Sequence, residues 1–427
     1  MSTALKDGIP EPSMRLRNAL ERLASLVDWE KRSRAGMEVS LAPMRDLCAR
    51  LGGPERGLCA VHVAGSKGKG STAALVASAL GAAGLRVALY TSPHVERLSE
   101  RLLLAGREVD PERLGAALAR ALDARDAAVA EGTGAREATW FDCLTAAALV
   151  VMAESSLDVA VVECGLGGRL DSTNVVDGLV AAVTNVYLEH TAVLGPTRAA
   201  IAREKAGIVK PGARVVVGAL GPDDEAAAVV AEVARARGAA LTRVEHAPAD
   251  ALERRNLRLA AAILGELEGA APALAGRGLA AHLAPRADAR LPGRAERRRV
   301  GATRVVLDGA HVPESLALLL RDLALDPELA AAPVVVFGCG REKSAQGLLK
   351  ALLGRVDRVL CSSVGEGPSR AAAELADLAR GLGLDARAVP EPSAALDEAV
   401  RVAGTGRWVL VTGSLHLVGA LRSRTGP

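Results

Sequence analysis

Aromatic side chains are scarce in this sequence: three Trp, two Tyr and two Phe supply 2% of its 427 residues. The core must then be built from Ala, Leu and Val, and nucleic-acid recognition by stacking lacks its usual platforms. Cys48, Cys59, Cys143, Cys164, Cys339 and Cys361 include no CxxC pair and no Cys/His set at zinc-ligand spacing. This argues against a disulfide scaffold or a zinc module. Several of these thiols lie in apolar runs, where a free Cys acts as a small hydrophobe, as suits a reducing cytosol. No uninterrupted apolar run reaches the ~20 residues of a membrane span, and the opening MSTALKDGIPEPS has no signal-peptide core. Charge of one sign is not in excess either, with 53 basic residues against 50 acidic. The one basic cluster, Arg294 to Arg299, reads as a solvated face. These absences predict a cytoplasmic protein without nucleic-acid or membrane partners. No exposed apolar stripe suggests a partner subunit, so a monomer is expected.

What is present is an α/β pattern. Half of the residues are apolar, and the length exceeds what one core usually supports, so two domains are expected. From residue 58 onward β-branched runs alternate with Ala/Leu-rich stretches, the signature of a parallel sheet covered by helices. Strands are predicted at 59–63, 87–90, 159–163, 180–185 and 215–217, and a second set at 303–308, 334–337, 359–361 and 408–412. The stretch 270–292, rich in Ala, Pro and Gly, separates the two sets, giving domains of 1–290 and 291–427. The first 50 residues read as helices, with Leu20, Leu23 and Leu26 as packing positions.

Chemistry concentrates where strands end. Ala60 to Ala64 leads into Gly65-Ser-Lys-Gly-Lys-Gly-Ser71 and then a helix, the order of a phosphate-binding loop. Glycines bend backbone N–H groups around phosphate oxygens, the helix N-terminus adds partial positive charge, and Lys69 adds a full one. Ser71 is a candidate ligand for Mg²⁺ or a phosphate, although Gly70 intervenes where a Walker loop places the hydroxyl directly after Lys. Glu163 closes a second strand before CGLGGRLDSTN, well placed for a hard cation. A third strand leads to Glu189-His190. Open α/β sheets bind ligands where such strand ends converge. Lys205 reads equally as a surface ion-pair lysine. Asp308, with His311 nearby, is a candidate acceptor for ribose hydroxyls or simply a helix cap. Arg294 in LPGRAE is a candidate phosphate contact or a linker cation.

Together, HVAGSKGKGS, TSPHVERLSER, TWFDCLTAAAL, VECGLGGRLDSTNVV, LEHTAVLGPTRAAIAREKAGIVKPG, LPGRAE and VLDGAHVPES resemble the folylpolyglutamate synthase/dihydrofolate synthase family of the Mur ligase superfamily. The resemblance covers roughly residues 20 to 420. It implies an N-terminal P-loop ATPase domain of Mur-ligase type, a C-terminal Rossmann-like domain, and a cleft for ATP, Mg²⁺ and a pterin acid. By the same resemblance Gly68, Lys69, Gly70 and Ser71 cradle the triphosphate, and Ser92, Glu163 and His190 ligate magnesium. Lys205 becomes a carbamylated ligand or orienter for a second metal. Asn256, Arg294 and Asp308 grip ATP, while Thr139, Leu170, Asp171 and Ser172 line the pterin pocket. Lys69, Lys205 and His190 are the implied catalytic set.

The implied reaction is ATP-dependent addition of L-glutamate to dihydropteroate, to (tetrahydro)folate, or to both, through an acyl phosphate. Alternatives are a Mur-like ligase for another acid and amino acid, and an ATP-binding regulator without ligase activity. Four departures from the family stand out. Lys67 adds a cation beside the phosphates, Glu189 replaces an Asp, Val312 replaces an Asn, and Glu342-Lys343-Ser344 stands for Asp-Lys-Asp. The stretch before Asn256 is also shorter than the family's.

Overall fold

The computed structural model describes residues 13–30, 39–247, 250–284, 289–364 and 369–426. Within them, fourteen strands form two sheets. The first contains β1 (Ala60–Ala64), β2 (Val87–Tyr90), β3 (Leu102–Leu104), β4 (Arg107–Glu108), β5 (Val159–Glu163), β6 (Gly178–Val183), β7 (Arg214–Ala219) and β8 (Ala240–Glu245). Their spatial order is β4-β3-β2-β5-β1-β6-β7-β8. The second contains β9 (Glu296–Val300), β10 (Thr303–Leu307), β11 (Val334–Phe337), β12 (Arg358–Cys361), β13 (Ala386–Ala388) and β14 (Val409–Thr412), in the order β13-β12-β11-β14-β10-β9.

Each position of β1, β2 and β5 is buried, as continuous apolar runs covered on both faces require. On one face Val63, Val76 and Ala79 pack with Ile263 and Leu267, so that the helices Lys69–Ala82 and Leu252–Ala270 lie against each other on the sheet. The other face is covered by the helices Met14–Ala24, Pro111–Glu131 and Trp140–Ala153. There Leu23 is buried, and Leu20 and Leu26 pack against it, as their spacing predicts. Small Ala side chains at these contacts let the layers approach closely where aromatic residues are few.

Both sheets are parallel in their centres, as expected, and are mixed because each carries an antiparallel edge. β3 runs antiparallel to β2 and β4, and β9 antiparallel to β10. Local turns explain these edges: Ala105 and Gly106 have φ of 49° and 75°, and Gly301 has φ of 56°. Such left-handed backbone reverses the chain within a few residues, whereas a parallel neighbour needs a long crossover. The remaining pairs are parallel, and β1 lies between β5 and β6. Three adjacent strands therefore release their C-terminal loops side by side. Among the described residues no helix is long and apolar enough to cross a membrane.

Candidate active site

The loop after β1 is shaped by contacts that exclude side chains. Gly65 has φ of 145°, and a Cβ there would stand 1.9 Å from Thr184 Oγ1. Gly68 has φ of 76°, and its Cβ would stand 2.3 Å from Asn256 Oδ1. Residues at the exit of β6 fix the backbone between them. Asn185 Oδ1 accepts from Lys67 N at 2.8 Å, and Thr184 Oγ1 and Asn185 Nδ2 donate to Lys67 O at 2.7 and 2.9 Å. The helix Lys69–Ala82 then starts without a side-chain cap. Its first N–H groups have no intrahelical partners, and with Lys69 they form an anion-binding end.

Gly70, the residue that disturbs the Walker spacing, has a packing role. A Cβ there would lie 2.9 Å from both Glu163 Oε2 and Leu291 Cδ1. The loop thus lets the carboxylate from the end of β5 come against the start of the helix. Glu163 is buried, and its Oε2 accepts from Ser92 N at 3.1 Å. Burial pushes its carboxyl up, against the pull of Lys69. A buried carboxylate with this deficit of positive charge fits a divalent cation. Ser92, Glu163 and His190 line one cleft, His190 with left-handed backbone at φ 47°. Among the described residues no three His, Cys, Asp or Glu side chains form a ready-made cage.

Lys205 is not at the surface. It is 1% exposed, and its Nζ donates to Gly65 O and Glu189 Oε1, each at 2.9 Å. Burial pulls this lysine down, and Glu189 opposes that pull.

Across the cleft, Asn256 comes from the helix Leu252–Ala270, buried, with its Oδ1 free of hydrogen-bond partners and facing Gly68. Asp308, just past β10, accepts from Ala295 N at 2.7 Å and Ala310 N at 2.8 Å. Burial raises its carboxyl and Arg294 lowers it. Arg294 and His311 line the same cleft. The His311 Nδ1 lies 2.9 Å from Gly309 O, which places the proton on Nδ1, and burial pushes the ring down to about 3.

The far end of the cleft is built around Asp142. Its Oδ2 accepts from Thr139 Oγ1 at 2.7 Å and its Oδ1 from Ser172 Oγ at 2.6 Å, tying together two separate predicted pocket segments. Asp171 organises its own loop, accepting from Leu166 N at 2.7 Å and Thr173 N at 3.1 Å. Leu170 lines the cavity with them.

Sequence reading did not single out the aromatic side chains beside these residues. Trp29, Trp140 and Phe141, three of the few aromatic residues in the chain, line this one cavity of about 800 Å³. Arg101, 1% exposed, holds the wall in place. Its guanidinium donates to Glu30 Oε1 at 3.0 Å and to His94 Nδ1 at 2.8 Å, and lies 4.9 Å over the Trp140 ring. The available signal was the scarcity of aromatic residues, which makes the adjacent pair Trp140-Phe141 conspicuous.

Known proteins are similar to this chain over most of its length. Residues 293–415 match the model of the Mur ligase, glutamate ligase domain. The dihydrofolate synthase/folylpolyglutamate synthase of Escherichia coli K12 is 34% identical over 403 residues, covering 90% of each chain. A probable bifunctional folylpolyglutamate synthase/dihydropteroate synthase of Haloferax volcanii is 34% identical over 408 residues, 89% of this chain. The present chain spans 48% of that longer protein's length. A crystal structure of a bifunctional folylpolyglutamate synthase/dihydrofolate synthase with Mn, AMPPNP and L-glutamate bound superposes with a TM-score of 0.79 at 30% identity, covering 96% of this chain and 97% of that one. The chain belongs to the dihydrofolate synthase/folylpolyglutamate synthase family.

Proposed function

We propose that this protein is an ATP-dependent ligase that joins L-glutamate to a pterin-bearing carboxylic acid: dihydropteroate, a (tetrahydro)folate, or both. The observation that carries the reading is that one cavity unites three parts. These are an anion-binding loop, a cation-fitting carboxylate at Glu163, and an aromatic wall able to hold a flat ring. AMPPNP, Mn and L-glutamate in the related crystal structure support ATP, a divalent metal and glutamate as ligands.

The residues suggest how the work is divided. Lys69, Ser71 and the start of the helix Lys69–Ala82 hold the phosphate chain, while Asn256, Arg294 and Asp308 hold the rest of the nucleotide. Ser92, Glu163 and His190 would hold a divalent cation, whose charge offsets the repulsion between two anions. The substrate carboxylate forms a bond to the terminal phosphorus as the bond to the ADP oxygen breaks. The amine of glutamate then attacks the acyl carbon, loses a proton and expels phosphate. Lys69 stabilises the charge that develops on the phosphoryl oxygens. Thr139, Leu170, Asp171 and Ser172, together with Trp29, Trp140 and Phe141, would position the pterin.

A carbamate on Lys205 and a second divalent cation belong to the same proposal. Burial favours the neutral amine of Lys205, the form that captures carbon dioxide. Partial rescue of Lys205→Ala by a short carboxylate is the expected signature. The division of the chain near residue 291 and a cytoplasmic monomer complete the proposal.

The test is ADP release by the purified protein with dihydropteroate or tetrahydrofolate, each with glutamate and Mg²⁺. Release should require both the pterin acid and glutamate. Equal release without them would overturn the ligase reading. Lys69→Ala should lower turnover by about 10²–10³-fold, the usual scale for one electrostatic group at a transition state.

A further inference from the structure

The most unusual charge in the cleft is Lys67, inside the phosphate loop. Its backbone is fixed on both sides, N–H to Asn185 and carbonyl to Thr184 and Asn185, so the direction of its side chain is set by β1 and β6. Only 17% of that side chain is exposed, and its Nζ lies 4.0 Å from Glu189 Oε2. The same carboxylate receives Lys205 through its other oxygen. Lys67 therefore faces the side of the loop where Glu189 and Lys205 sit.

Glu189 Oε2 stands 4.0 Å from Nζ, beyond hydrogen-bond distance, so the Lys67 ammonium keeps donors for a further anion. A phosphate would accept them.

Resting on the nucleotide site described above, we propose that Lys67 is a further phosphate-binding residue that engages the terminal phosphate and so favours nucleoside triphosphate over diphosphate. Such a preference serves a ligase that must take up ATP and release ADP. It also gives this chain a binding contact that the Asn usual at this position cannot supply as charge. Burial, with Lys69, Arg294 and Lys205 nearby, pulls the Lys67 ammonium down to about 8 although Glu189 opposes them. Asp308 and His311 from the second sheet are the other titratable groups that sense it. Docking a phosphate against Lys67 raises its proton affinity, so binding near pH 8 takes up protons.

Calorimetry with AMPPNP and with ADP, each in EDTA and in Mg²⁺, on the full-length wild type, Lys67→Met and Lys67→Arg tests this. Lys67→Met should weaken AMPPNP about tenfold and ADP less than twofold, with Lys67→Arg close to wild type. In buffers of different ionisation enthalpy at pH 8, the wild type should take up roughly half a proton more than Lys67→Met on binding AMPPNP. Equal losses for both nucleotides, no loss for either, or unchanged proton uptake would overturn the role of Lys67. A wild type that bound neither nucleotide would overturn the underlying nucleotide site instead.

Discussion

Glu189 stands between two lysines, accepting from Lys205 Nζ at 2.9 Å through Oε1 and facing Lys67 Nζ at 4.0 Å through Oε2. Burial pushes its carboxyl up, but Lys205, Lys69 and Lys67 outweigh burial and hold it well below the usual carboxylate range. With Lys205 free of carbamate, removing this carboxylate strands a lysine that is 1% exposed. Glu189→Ala should therefore lose about 3–5 kcal/mol of stability at pH 7, the range for breaking a buried ion pair. Because the folded carboxyl is depressed, its contribution is complete above the unfolded value near ~4.3 and lost as pH falls towards the folded one. The gap between wild type and variant in urea unfolding should narrow below about pH 4. A constant gap from pH 7 to pH 3 would refute the assignment.

Lys67 carries the opposite sign. Its folded value of about 8 lies below the unfolded value of ~10.4, so the unfolded chain binds more protons between them. The contribution of Lys67 to stability then rises with pH across that window. Without nucleotide, Lys67→Met should be more stable than wild type at pH 7.5, and this advantage should shrink by pH 9.5. Denaturant midpoints at the two values decide it, and an advantage that grows with pH would contradict the geometry.

Gly70 offers a test of the loop itself. Its missing side chain makes room for Glu163 Oε2 and Leu291 Cδ1, each 2.9 Å from where a Cβ would lie. Gly70→Ala should leave the fold intact, because the position is helical and not left-handed. The carboxylate must shift, however, and Glu163 is the proposed cation ligand. We expect a 10–100-fold loss of activity together with a higher Mg²⁺ requirement, in line with disturbed metal sites generally. Wild-type dependence on Mg²⁺ would show that Glu163 can move freely.

The difference between Gly70 and Arg101 also shows what a reader of the sequence can and cannot see. The loop, Glu163, His190 and Asp308 follow buried β-branched strands, so local pattern reveals both strand and functional end. β9, with the sequence ERRRV, reads instead as a basic cluster, because a polar edge strand carries no apolar signal. β4, β8 and β13 are short or half-exposed edges hidden for the same reason. The Arg101–Glu30 pair joins residues 71 positions apart, which no spacing rule connects. Lys205 was ambiguous because its burial depends on packing beneath a loop 140 residues earlier.

That long-range pair leads to a specificity prediction. Arg101 supports Trp140 from one side, and His94 stacks near the same ring at 6.4 Å. Arg101→Met removes the ion pair with Glu30 and the cation over the indole, an interaction of about 0.5–2 kcal/mol. The KM for the pterin acid should rise roughly tenfold while that for ATP changes less than twofold, since 1.4 kcal/mol corresponds to a factor of ten. Equal changes in both would mean that Arg101 supports the fold generally.

The final prediction concerns how the two sheets are held together. Arg422, on the last helix, donates to Glu96 Oε2 at 2.6 Å and through Nε to both oxygens of Glu296 at 3.0 Å. Glu296 in turn accepts from Gly293 N at 2.9 Å, beside Arg294. Glu96 follows β2 of the first sheet, so this arginine links the segment containing Ser92 to the hinge containing Arg294. The two side chains are 17% and 20% exposed, which shields the pair from solvent more than an ordinary surface ion pair. A double-mutant cycle with Glu96→Gln and Arg422→Met should give a coupling of about 1–2 kcal/mol in stability. Because the link joins the segments that carry Ser92 and Arg294, both single variants should also raise the KM for ATP. A coupling near zero would show that other contacts hold the sheets together, among them Leu252 N donating to Asp322 Oδ2 at 2.6 Å and the close approach in which a Cβ at Gly419 would stand 2.4 Å from Val95 O.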